Sequence, residues 1–209
     1  VAEAFRAEGV RLPWAAFFSC AGCPPGYFAR LRAAGLEHVE FGTDSLSLRV
    51  LRALHKPFDP AAVQAAHAQA VESGAHVAHY FTLGAPEETP DTLDETLDRA
   101  EALTGAVLFF FCGIRVYPGT ALHRRAVAEG LLSADQELVE PAYYQSAAIT
   151  PAEIHDAVEA RRRGRLSWVL GAGDPATRER MERKRARGKV GPLWEELVAL
   201  EAARQRLLG

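Results

Sequence analysis

The 209-residue chain is 48% hydrophobic and 24% charged, with a formal net charge of -3. That balance fits one ordinary globular domain, with or without an appendage; it excludes a disordered or collagen-like protein and argues against a general polyanion binder. No apolar run approaches the roughly 18 to 20 residues that cross a bilayer, and the first residues are not a signal peptide. The three cysteines, Cys20, Cys23 and Cys112, are too few for a disulfide framework. The expectation is a cytoplasmic protein with no membrane partner. Valine in the first position reads as a chain that begins partway through a longer gene product.

In chain order, four β-rich apolar runs alternate with amphipathic stretches, the pattern of an α/β protein built on a parallel sheet. They are residues 12–19 (LPWAAFFS), 39–42 (VEFG), 77–83 (VAHYFTL) and 107–116 (VLFFFCGIRV). The last two are almost continuous apolar runs, as in strands covered on both faces. Residues 61–73 read as a helix closed by Gly74, and residues 121–129 as another closed by Gly130. Thr89 followed by Pro90 marks a helix start, and Leu93, Leu97, Ala100 and Leu103 recur on its apolar face. From Thr150 onward the sequence offers Arg-rich helices and no strand. The chain therefore divides into a βα core, residues 1–149, and a helical appendage, residues 150–209.

In parallel βα folds, binding groups gather in the loops at the carboxyl ends of strands. The second run ends in Gly42-Thr43-Asp44-Ser45, where Asp44 and Ser45 offer an acceptor and a hydroxyl suited to a ribose diol, or else an N-cap. The third ends in Gly84-Ala85-Pro86-Glu87-Glu88-Thr89, a tight turn into a helix whose free N–H groups suit a polar ligand edge. His79 and Tyr80 point to opposite faces of that strand, and His79 reads as a buried, satisfied side chain rather than a ligand. Arg115, inside the fourth run, either faces solvent or meets an anion at the rim, and the anion is favoured.

Cys20 and Cys23 form a C-x-x-C, but no second pair follows, Cys112 stands 89 positions later and Pro24-Pro25 comes directly after. A zinc or thioredoxin-like role is therefore weakly supported. Residues 178–189 carry seven basic and two acidic side chains without interleaved aromatics, and read as a solvated helix face rather than a nucleic-acid surface.

The succession VEFGTDSLSLRVLRALHK, HYFTLGAPEETPDTLDETL and GIRVYPGTALHRRAVAEG resembles the later strands of the radical S-adenosylmethionine (radical SAM) superfamily. More narrowly it resembles the C-terminal part of those members that often carry an N-terminal cobalamin-binding domain. The likeness runs from about residue 12 to residue 144 and recurs in GKVGPLWEEL. It implies a partial (β/α) barrel in which these strands are the third to the sixth. It also implies a site: Asp44 with Ser45 on the SAM ribose, Lys56 on the SAM carboxylate, and the backbone near Gly84 and Pro86 on the adenine. Arg115 and Tyr117 fall toward the substrate.

The cofactors implied are SAM, a [4Fe–4S] cluster and, in this group, cobalamin, with a reductant such as flavodoxin or ferredoxin as partner. The substrate is left open. In the implied chemistry the reduced cluster cleaves SAM to methionine and a 5′-deoxyadenosyl radical. The family's G-x-P-G-E-T turn appears with Glu87 in place of its central glycine. Its C-x-x-x-C-x-x-C loop is not matched, because Ala16 stands where the first cysteine would fall. The expectation is that the cluster ligands lie upstream of Val1, so that the chain is a C-terminal fragment inactive by itself. The alternative is a non-catalytic binding or scaffold module.

Overall fold

The computed structural model describes residues 2–10, 12–171, 173 and 175–208; Val1, on which the reading of a longer product turns, lies outside them. Helix α1 (Ala2–Ala7) leads into β1 (Trp14–Phe18), α2 (Tyr27–Arg32), β2 (Leu36–Asp44), α3 (Leu48–Ala53), α4 (Pro60–Glu72), β3 (His76–Leu83), α5 (Pro90–Ala100) and β4 (Ala106–Cys112). Then follow β5 (Ile114–Arg115), α6 (Ala121–Ala128), β6 (Tyr143–Tyr144), α7 (Pro151–Arg162), β7 (Trp168–Leu170), α8 (Pro175–Ala186) and α9 (Glu196–Leu208). The helix starts follow local chemistry. Asp59 caps α4 by accepting from the Ala62 N–H, and Thr89 and Thr150 form capping boxes ahead of Pro90 and Pro151.

Strands β1 to β4 are parallel neighbours in chain order, as the sequence predicts, and β7 continues the sheet beyond β4. The sheet is open: among the described residues β1 pairs only with β2, and Phe17 on that edge strand is 70% exposed. Two expectations are corrected. A strand does occur beyond Thr150, because Trp168 packs on Phe110 with ring centroids 5.0 Å apart and brings its backbone into register with β4. Three residues are too short to leave a periodic signal. The fourth apolar run is also not one strand. Gly113, at φ 80, turns the chain out of β4, and Ile114 and Arg115 pair antiparallel with Tyr143 and Tyr144 instead.

Alternation along the strands sorts the core into two faces. One packs Val39, Phe41, Val77, Phe81, Leu108 and Phe110 against α2, α4, α5 and α7, with all three phenylalanines wholly buried. Burial of each contributes on the order of 1.5–3 kcal/mol. On the other, here the inner face, Ala78 and Val107 are covered by Met181, Leu193, Trp194 and Leu197 of the C-terminal segment. That cover does not extend over the carboxyl-end half of the inner face, where Tyr80 is half-buried and Phe111 is 40% exposed.

Candidate functional site

The uncovered half of the inner face carries the polar groups of the candidate site. The pairing of β2 with β3 slips between Gly42 and Asp44, and Asp44 takes the left-handed conformation at φ 57, which Asp tolerates better than most residues. Its carboxylate accepts from the Thr82 hydroxyl at 3.0 Å and forms an ion pair with Lys56, both partners about three-quarters buried. Lys56 also sits 5.9 Å from the Phe58 ring centroid. The twelve-residue separation of Asp44 and Lys56 thus closes at one end of the sheet, through the short helix α3.

Below this pair lies an aromatic surface. Tyr80 contacts Phe17 at 5.5 Å and stacks on Phe109 at 4.9 Å and on Phe111 at 6.2 Å. Its hydroxyl donates to Glu40 at 2.8 Å, and burial, reinforced by that carboxylate, raises the phenol above its ordinary range. A sequence reading does not single out Glu40, Thr82, Phe17, Phe109 or Phe111. The signal that could find them is strand parity: once Tyr80 is placed on the inner face, the residues paired with it follow.

The remaining expected site residues are placed differently. Ser45 is wholly buried, with its hydroxyl 2.9 Å from that of Thr96 and accepting from the Ser47 N–H, so it ties β2 to α5 rather than facing the rim. Gly84 and Pro86 are at the end of β3 as expected, but the Gly84 N–H donates to Glu88 and its carbonyl accepts from the Ser146 N–H at 2.8 Å. A Cβ on Gly84 would overlap the Gln145 carboxamide that lies over it. Its backbone edge is therefore already used. Arg115 is exposed and lies 5.0 Å from the Tyr117 ring centroid; no anionic partner meets it among the described residues.

Two glutamates shape the β3–α5 turn. Glu87, which stands where the G-x-P-G-E-T pattern has glycine, adopts φ 66, a left-handed conformation that glycine reaches without strain, and is held there by Arg49 at 2.8 Å and Arg125 at 3.2 Å. Glu88 is wholly buried; one oxygen accepts from the Gly84 and Ala85 N–H groups while the other has no partner. Burial pushes its carboxyl up to about 7, against the pull of the two N–H groups.

His79 is a satisfied core residue, as read from the sequence. It bonds to Thr43 at 2.8 Å and His67 at 3.1 Å and stacks on Phe41. Burial, with His67 next, holds its imidazole well below the ordinary value. The cysteines do not fit an iron–sulfur cluster, which needs converging thiolates. Burial pushes the Cys20 thiol up to about 12 and raises Cys23, while Cys112 lies at the end of β4, three strands along the sheet from β1, which Cys20 and Cys23 follow. No group of three or more His, Cys, Asp or Glu among the described residues could hold a metal ion. No helix among them is long and apolar enough to cross a membrane.

No protein-family model matches the sequence. The chain is 32% identical over 120 residues to the heme chaperone HemW of Mycobacterium tuberculosis, which covers 57% of this chain and 30% of that protein. Its fold superposes on TsrM from Kitasatospora setae, a radical S-adenosylmethionine methyltransferase solved with tryptophan substrate and a SAM analogue, with TM-score 0.73 and 16% identity. A second TsrM structure, with cobalamin and a [4Fe–4S] cluster bound, matches with TM-score 0.69 and 17% identity. These alignments take in 99% and 98% of this chain, and 50% and 47% of TsrM. The chain thus spans about half the length of TsrM and less than a third of HemW. It shares the fold of these TsrM structures over nearly its whole length.

Proposed function

We propose that this chain serves a radical SAM enzyme, and that the carboxyl-end rim of its inner face holds S-adenosylmethionine. The observation that carries the reading is the convergence of Asp44, Thr82 and Lys56 where β2 and β3 end, in a fold that superposes on a SAM-analogue complex over nearly its whole length. A carboxylate already held by a hydroxyl and an ammonium keeps lone pairs free for a ribose diol. Lys56 can exchange part of its pairing with Asp44 for the carboxylate of the amino-acid moiety, at little electrostatic loss because one carboxylate replaces another. The Gly84–Pro86 turn walls the site by shape, since its polar groups are engaged with Glu88 and Ser146. The stacked surface of Tyr80, Phe109 and Phe111 excludes water from the floor of the inner face.

A [4Fe–4S] cluster is foreign to the cysteines described here, and its ligands would have to come from residues other than these 209. What this chain's residues do is bind and orient SAM on a rigid strand end. Isothermal titration of SAM into the chain tests this. Saturable binding is expected, and Asp44→Ala should weaken it by about 1–3 kcal/mol, the cost of leaving a ribose hydroxyl without its acceptor. Binding that is absent, or indifferent to Asp44→Ala, would instead favour the binding-module reading with another ligand.

A further inference from the structure

The C-terminal helices do more than cover the sheet. Where α8 and α9 cross the inner face beside β4 and β7, they leave a cavity of about 330 Å³, at the lower end of the range that takes small organic ligands. Its floor is apolar: Phe109 and Val169 from the sheet, Met181 from α8, and Trp194 just before α9. Trp194 is 7% exposed and its indole N–H is buried without an acceptor, an unmatched donor in the cavity wall.

The mouth is charged. Arg178, Glu182 and Arg185 follow one another on α8 at i, i+4 and i+7 and all line the cavity, together with Arg162. Arg162 is already engaged, with Glu159 at 3.0 Å and the Arg165 carbonyl at 3.1 Å. Three neighbouring cations are likewise paired: Arg183 with Glu179, Lys184 with Glu196, Arg165 with Glu101. The guanidinium groups of Arg178 and Arg185, by contrast, have no ion-pair partner among the described residues. Of the α8 side chains that line the cavity, Arg178 and Arg185 against Glu182 leave one net positive charge above an aromatic floor.

We propose that this cavity binds an aromatic carboxylate, its ring system on the Phe109–Trp194 floor and its carboxylate between Arg178 and Arg185. The charge selects an acid over an alcohol or an amine, and the volume fits one small ring system. The inference does not rest on the SAM reading: only Phe109 is shared with the aromatic floor below the Asp44 rim, and the charged groups and Trp194 are not part of that site.

The test is isothermal titration of 2-naphthoate, 2-naphthylmethanol and 2-naphthylmethylamine into the chain at pH 7. Saturable single-site binding of the acid is expected, with the alcohol and the amine each at least tenfold weaker. Arg178→Gln combined with Arg185→Gln should weaken the acid at least tenfold and leave the alcohol unchanged. Both arginines are exposed, so the variant should keep the parent's far-ultraviolet circular dichroism and unfolding midpoint. Val169→Phe should weaken all three compounds by filling the floor. No saturable binding of the acid, equal binding of acid and alcohol, preference for the amine, or parent-like binding by the double arginine variant would each overturn the proposal.

Discussion

Replacing Glu88 with glutamine isolates one buried ionisation. In the folded chain burial displaces this carboxyl from its ordinary 4.5 to about 7, while in the unfolded chain it ionises at its ordinary value. Between those two pH values the folded state therefore binds the proton that the unfolded state has lost, so stability falls as pH rises from about 4.5 to about 7 and is level above. At 1.36 kcal/mol per pH unit the contribution is about 3 kcal/mol. Glutamine keeps a carbonyl oxygen for the Gly84 and Ala85 N–H groups but puts an NH2 where the other oxygen has no partner. That costs about 1–3 kcal/mol at every pH. Glu88→Gln should thus be less stable than the parent at pH 5, and the deficit should shrink by about 2 kcal/mol by pH 8, the part of the contribution still present at pH 5. His67 and His79 have lowered values and act in the opposite direction, their contribution being lost as pH falls through 6.5; subtracting variant from parent cancels it. Urea unfolding at pH 5, 6, 7 and 8 measures the difference. A constant difference across that series would refute the reasoning.

Four further outcomes follow from the same geometry. His79→Phe keeps an aromatic ring against Phe41 but strands Thr43 and His67, and should cost about 1–3 kcal/mol in urea unfolding. Glu87→Gly should raise the thermal midpoint, because relief at φ 66 outweighs two exposed ion pairs; a lower midpoint would show that Arg49 and Arg125 matter more than the backbone. Trp168→Ala should cost about 3–5 kcal/mol, since it empties the contact with Phe110 that holds β7 to the sheet. Anaerobic incubation of the chain with iron and sulfide should give no stable iron–sulfur absorption; a stable cluster lost on Cys20→Ala would give Cys20 and Cys23 a role that their burial argues against.

The parallel order of β1 to β4 is legible in the sequence because short apolar runs alternate with helical stretches, and the last two runs are almost continuously apolar. The same feature hides what matters for a site. In VAHYFTL every residue suits burial, so the pattern cannot say that His79 faces the helices and Tyr80 the inner face. Asp44 and Lys56 are legible as rim residues through a resemblance, but their pairing with each other depends on a slip in strand register that composition does not encode. Ser45 is misplaced for a related reason: one residue past Asp44, the next side chain points to the opposite side, into Thr96. Glu87 is the instructive departure, since a residue in place of an expected glycine keeps the left-handed turn and binds two arginines to hold it.

The most direct test of the account is a two-dimensional amide spectrum of isotopically labelled chain titrated with S-adenosylhomocysteine, which keeps the ribose and amino-acid groups of SAM. The account predicts saturable shifts confined to the ends of β2 and β3, around Asp44, Lys56 and Thr82, and their loss in Asp44→Ala. Shifts elsewhere with these amides unmoved, or the same shifts in Asp44→Ala, would contradict it.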